Sequence, residues 1–263
     1  MSIPPAGERL ARLSRTAAIR AAALTSWVDP ETLGTAALAG VLYRAGGSTP
    51  SVHVDERWPH LLLRRAQRHV RHRLVDYART STEGWMSWTR TDADVVALVH
   101  KVYLSPAVPS LTDVLPSAFD IATSLQVPAW KVGADLAGIH RADKFVLYFA
   151  SAEAADDAAS VLAEHLSLVA PQGVPFTAQV GSTGIVSRGI DRNATSWRAV
   201  VCRSLADALL AARARNGTAT APGRVVDEAY ASLTRDGFDT RGWLPVAAPQ
   251  PAVPQTADVG AVP

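Results

Sequence analysis

The run Trp130-Lys131-Val132-Gly133, followed by Ile139-His140-Arg141-Ala142-Asp143-Lys144-Phe145-Val146-Leu147-Tyr148-Phe149, decides how this chain is read. Residues 144–149 have the apolar, aromatic character of a core strand. Yet the 18 residues from Lys131 to Tyr148 also hold two lysines, an arginine, a histidine, two aspartates and a tyrosine. A core strand usually follows a plain turn, so ionisable groups crowded at its mouth point to a site that handles an anion. The sequence has no metal-ligand cluster, no phosphate-cradling glycine loop and no nucleophile elbow to name the chemistry alone.

Helical spacing dominates the N-terminal side. Residues 7–23 read as an amphipathic helix with Leu10, Leu13, Ala17 and Leu24 near one face. Asp29-Pro30-Glu31 starts a second helix, which runs to about Tyr43 and stops at Gly46-Gly47. Residues 57–79 read as a third helix, the most basic part of the chain. It carries seven arginines and His60, His69 and His72, with Trp58, Leu62, Val70, Leu74 and Tyr77 as its apolar stripe. At Gly84 the period changes, and residues 85–89 with 95–104 read as a hairpin. Helices are expected at 111–125, 152–168 and 196–213. An extended segment is expected at 174–180, and a loop around a short strand at 181–193.

These elements predict an α+β protein: a helical N-terminal part (1–83) packed on a mixed β-sheet covered by helices (84–245). A disordered tail is expected at 246–263, where Pro and Ala recur without periodicity. With 48% hydrophobic and 19% charged residues the chain can bury a sizeable core, and its net charge of +2 does not by itself imply nucleic acid. A single cysteine, Cys202, excludes a disulfide framework within the chain and fits a reducing compartment. No apolar run is long enough to span a bilayer. Glu8, Arg9, Arg12, Arg15 and Arg20 interrupt any signal-peptide core, so a cytoplasmic protein with no membrane partner is expected.

Four blocks carry a family likeness. Lys101-Val102-Tyr103-Leu104-Ser105 resembles an Arg-aromatic-Tyr-x-Asn strand, and Pro128-Ala129-Trp130-Lys131-Val132 a Pro-Phe-x-x-Lys-Val block, one residue short. Arg141-Ala142-Asp143-Lys144-Phe145-Val146-Leu147-Tyr148 is similar to Arg-x-Asp-x-x-Val-Leu-Tyr. Pro175-Phe176-Thr177 and Ser196-Trp197-Arg198…Cys202-Arg203 are similar to a Pro-x-Phe-Thr turn and a Ser-Phe-Gly…Arg-Cys-Arg helix. Together they resemble the HopA-like type III effector family, whose relatives include the lyase partners of class V lanthipeptide and thioamitide biosynthesis. The likeness spans residues 95–212 and leaves the first 80 unaccounted for. Lys101 stands where the family has arginine, Ser105 where it has asparagine, and Trp197-Arg198 where it has Phe-Gly. The loop before the last block is more basic, with Arg188 and Arg192.

The resemblance implies β-elimination of phosphate from phosphoserine or phosphothreonine in a ribosomal precursor peptide phosphorylated by a partner kinase. No cofactor or metal is implied. Lys131 would be the base, desolvated by Trp130 and close in sequence to Arg141. His140, as an imidazolium, would give a proton to the departing phosphate. Arg141 and Lys144 would grip the phosphate, with Tyr148 on the Lys144 face of the strand and Asp143 orienting one of these cations. Ser196 and Arg203, two helical turns apart, would hold an anion at the helix start beside Arg198 and Arg192. Each feature also has a plain reading: an exposed strand-end lysine, a surface histidine, a structural Arg–Asp pair, a capped helix with solvated arginines. A non-catalytic peptide- or kinase-binding protein is therefore the alternative function. The basic helix could meet an acidic leader peptide, the kinase or RNA, or it could simply be a solvated face.

Overall fold

Alternation of side chains along seven strands builds the frame. The computed structural model describes residues 8–28, 30–48, 55–191 and 195–244. Among them β1 (Tyr77–Thr82), β2 (Trp85–Arg90), β3 (His100–Leu104), β4 (Ala129–Gly133), β5 (Phe145–Phe149), β6 (Ala178–Val180) and β7 (Val186–Ile190) form one sheet, ordered β1-β2-β4-β5-β3-β7-β6. The α+β class is as expected. The sheet, however, is antiparallel throughout rather than mixed. The β4–β5 connection shows why: it contains only the five-residue helix α5 (Leu136–His140), and a parallel crossover needs about a dozen residues or more.

Period two sorts the side chains. Val102, Leu104, Trp130, Val132, Phe145 and Leu147 point to one face and form the larger core with α3 (Trp58–Val70), α4 (Leu111–Ser124) and α6 (Ala152–His165). Its centre is aromatic: Trp88 stacks on Trp130 at 5.9 Å between centroids, and Phe119 meets Trp88 edge-on at 4.9 Å. The other face carries Trp85, Lys131, Tyr148, Lys101 and Tyr103. A second core joins α1 (Glu8–Leu24), α2 (Pro30–Arg44), α7 (Trp197–Asn216) and α8 (Pro222–Arg235). Tyr43 and Arg198 bring this helical cluster against the polar face of the sheet.

Several sequence expectations change. The helix expected over 57–79 ends at Val70, passes through a tight turn at Arg71–Arg73, and residues 77–82 become the edge strand β1. Val70, Leu74 and Tyr77 keep helical spacing, which explains the expectation. The Glu83-Gly84 turn, with Gly84 at φ 71°, overrides it by folding 77–82 onto β2. The boundary expected after residue 83 therefore cuts a hairpin. Residues 85–89 and 100–104 do not pair with each other; β3 lies between β5 and β7. In the segment 174–180 only Ala178–Val180 is strand, because Phe176 at φ 62° turns its ring into the second core, 5.2 Å from Trp243. The expected tail, His53 and Arg192 lie outside the described residues. No described helix is long and apolar enough to cross a membrane.

The β4–α5 junction delivers Arg141 and Asp143 to the polar face. It needs two glycines. A Cβ on Gly133 would stand 2.4 Å from the Gly138 carbonyl carbon, so β4 and α5 can approach only without it. Gly133→Ala should therefore cost about 2–3 kcal/mol. Circular-dichroism melts should show Tm lower by about 5–10 °C.

Candidate active site

Strand order places four side chains in a row across the polar face: Trp85 on β2, Lys131 on β4, Tyr148 on β5 and Lys101 on β3. The Lys131 Nζ lies 4.4 Å from the Trp85 ring centroid and 5.8 Å from that of Tyr148. The Lys101 Nζ lies 5.2 Å from the same Tyr148 ring, so two ammonium positions flank one phenol. Lys101 is nearly buried and forms an ion pair with Asp191 at 2.5 Å. For Lys131 no ion pair is found among the described residues.

Arg141 follows α5 and hangs over this row, its Cζ 5.0 Å from the Trp85 centroid. One edge of its guanidinium is committed: Nε and Nη2 donate to the two Asp143 carboxylate oxygens at 2.8 and 3.0 Å. The side chain is still 39% exposed, which leaves it accessible to a ligand. Asp143 also accepts from Arg198 Nη1 and from the Tyr43 hydroxyl, both at 3.3 Å. Tyr43, Ser48, Leu136, His140, Arg141 and Asp143 line a cavity of about 440 Å³ beside the row.

Burial and neighbouring charge set the protonation states. Burial lowers the Lys131 pKa, with Lys101 and Arg141 adding repulsion that Asp143 only partly offsets. Burial opposes ionisation of Asp143, but Arg198 and then Arg141 prevail and hold it below the usual carboxylate range. Burial raises Tyr148, keeping it a neutral hydroxyl donor. The site thus sets a lysine whose pKa burial and like charge lower beside a lysine held in an ion pair, and a perturbed lysine in a cleft is a candidate for acid–base chemistry.

The structure brings together Lys131, Tyr148, Arg141 and Asp143 of the expected set. The remainder sit differently. Lys144 immediately precedes β5, in period with Tyr148, but its Nζ donates to the Pro106 carbonyl at 2.8 Å and to Gln172 Oε1 at 2.5 Å, away from the row. Burial pushes its pKa down to about 7. His140 packs its Nδ1 2.8 Å from Ser48 Oγ, and burial with the nearby Lys144 lowers its pKa, which disfavours the imidazolium the sequence suggested. Arg198 is 1% exposed, and its donors go to Asp143 and to the carbonyls of Pro175, Tyr43 and Ala45. It braces the site from beneath rather than offering a phosphate grip.

Ser196 and Arg203 share the spacing but not the site: Ser196 makes no capping bond and Arg203 is exposed. Asp191 already occupies the α7 start, where its carboxylate accepts from the Trp197 N–H at 3.2 Å. Reading the sequence missed Lys101, Asp191, Tyr43 and Trp85 as site residues. For Lys101 a signal existed: a charged residue within an apolar strand, two before Tyr103 and so on the same face.

No family model matches the chain, and no curated protein does. Among solved structures, the effector protein from Pseudomonas syringae pv. tomato strain DC3000 is 10% identical with a TM-score of 0.53, the match covering 88% of this chain and 97% of that one. The effector protein from Pseudomonas syringae pv. syringae strain 61 is 12% identical at 0.51, covering 88% and 98%. The Chromobacterium violaceum VirA (SpvC) phosphothreonine lyase effector is 16% identical at 0.35, covering 57% and 77%. The two Pseudomonas proteins share the fold of this chain, in agreement at that level with the resemblance to HopA-like effectors.

Lys144 gives the site's surroundings a pH signature. Its folded pKa of about 7 lies below the 10.5 of an unperturbed lysine. Between these values the unfolded chain binds a proton that the folded chain lacks, so stability rises with pH; below about 7 the contribution is constant. Denaturant midpoints should show wild type gaining on Lys144→Met from pH 7 upward, by at most about 1.4 kcal/mol per pH unit. Parallel profiles would mean that the buried amine keeps its proton.

Proposed function

We propose that this protein is a phosphopeptide lyase, eliminating phosphate from phosphothreonine or phosphoserine to leave a dehydroamino acid. One observation carries the reading: Lys131, half-buried and repelled by Lys101, stands within the cationic row under Arg141. A lysine general base near neutral pH requires such surroundings. The fold shared with two effector proteins is compatible with this reading, and the blocks around Lys131 and Arg141–Tyr148 that resemble HopA-like lyases give it direction.

Neutral Lys131 Nζ takes the Cα proton, the released electron pair forms the Cα=Cβ bond, and the Cβ–O bond breaks with its electrons leaving on phosphate oxygen. Arg141 and Lys101 meet the charge that gathers on the phosphate, where fixed donors in a water-poor site act most strongly. Tyr148, a neutral phenol whose ring lies between the two lysines, would donate to the leaving oxygen. Asp143 fixes the Arg141 plane through two hydrogen bonds. The substrate would be a peptide phosphorylated by a separate kinase, a ribosomal precursor of the lanthipeptide type being the class that the sequence likeness suggests.

Mass spectrometry of a phosphothreonine peptide incubated with the protein should show loss of phosphoric acid and a new dehydrobutyrine. Lys131→Ala should lower that rate at least ~10³-fold while peptide binding persists. The wild-type rate should climb with pH through a midpoint below the 10.5 of an unperturbed lysine. An unchanged peptide mass with wild-type protein, despite binding, would replace the lyase with a phosphopeptide-binding protein.

A further inference from the structure

The elimination site does not use the most basic surface of the molecule. Arg64, Arg65 and Arg68 on α3, Arg71 after it and Arg79 on β1 are all exposed, and none is in an ion pair among the described residues. The helix itself contains no acidic residue. Its inner side is fixed: Leu62, Leu63, Ala66 and Val70 enter the larger core, and Gln67 Nε2 lies 3.7 Å from the Met86 sulfur on β2. α4 packs along one flank of α3, and the Gln67–Met86 contact sets the helix over β2, the strand next to β1.

That end is open. β1 is an edge strand, and among the described residues no strand pairs with its outer side. Edge strands commonly protect themselves with proline, a bulge or a cover. β1 has no proline, runs in unbroken register with β2 from Tyr77 to Thr82, and is exposed from Ala78 to Thr82. Period two sets Arg79 opposite Trp88, hence on the α3 side of the sheet. A peptide laid against β1 would direct every second side chain toward Arg79 and the α3 arginines.

We infer that the β1 edge and the α3 ridge form a docking surface for an acidic, extended protein segment, which adds to the sheet as an eighth strand. The backbone ladder supplies binding that is indifferent to sequence, and acidic residues at alternate positions supply selectivity. Nucleic acid is the competing occupant and one outcome of the test. Among the described residues the ridge exposes no Trp, Tyr or Phe to stack a base, since Trp58 and Tyr77 are partly buried against the core, but His60, His69 and His72 are exposed. The added strand would run roughly 14 Å from β4, three strand spacings from Lys131. A tethered segment beyond it could therefore reach the polar face, although the docking does not depend on the elimination reading.

The test uses the full chain and a fluorescein-labelled peptide alternating Glu and Val, with a second peptide carrying Gln for each Glu. Anisotropy titrations should show the Glu peptide binding about tenfold tighter or more, weakening as salt rises. The Arg64→Glu/Arg68→Glu variant, checked for an unchanged melt, should lose that advantage. Amide exchange in residues 77–82 should slow in the wild-type complex, a readout that charge attraction alone would not produce. Equal affinity for the two peptides overturns the inference. So does binding without protection of β1, or a single-stranded RNA that binds more tightly than the Glu peptide and is lost in the same variant.

Discussion

The site depends on a single buried carboxylate. Asp143 accepts hydrogen bonds from Arg141, Arg198 and Tyr43, which come from the loop after α5, from α7 and from α2. A charge this far from water is costly unless it is paired and fully bonded, so the three donors are obligatory partners. Arg198 needs the carboxylate as much as the carboxylate needs Arg198: at 1% exposure, an unpaired guanidinium would be among the least tolerable groups in the protein. Satisfying both therefore clamps the helical cluster to the polar face of the sheet. The same contact fixes the plane of Arg141, so a requirement of folding also orients a candidate phosphate ligand.

The two lysines of that face show how position alone separates identical chemistry. Lys101 on β3 meets Asp191, which is held at the start of α7 by the Trp197 N–H. Lys131 on β4, two strands away across Tyr148, has aromatic rings and like charges for neighbours. Asp191 thus takes the helix-start position that the sequence suggested for a phosphate, and does so in favour of a lysine rather than a ligand. Helix starts attract anions in general, and here the chain provides its own.

How much of this was legible in the sequence depends on the range of the interaction. Lys131, Arg141, Asp143 and Tyr148 lie within one short span whose strand period is visible, so their convergence could be read directly. The partners of Asp143 could not: Tyr43 and Arg198 are 100 and 55 residues away and meet it only through packing. Lys144 misled because period two predicts the face of a strand but not where a long side chain ends. A carbonyl at Pro106 and the amide of Gln172 captured it. The sequence pattern carries the basic helix nine residues past its end at Val70 because Leu74 and Tyr77 extend its apolar stripe. A two-residue turn at Gly84, a local signal, settled that conflict in favour of a strand.

The repulsion between Lys101 and Lys131 has an effect on timing within the proposed reaction. While Lys131 is neutral the pocket carries one positive charge fewer than its count of basic side chains. Once it has taken the Cα proton it becomes a second ammonium beside the Tyr148 ring. The electrostatic field of the pocket therefore strengthens as the Cβ–O bond loosens and negative charge moves onto the phosphate. The proton that starts the reaction becomes part of the counterion that receives its leaving group.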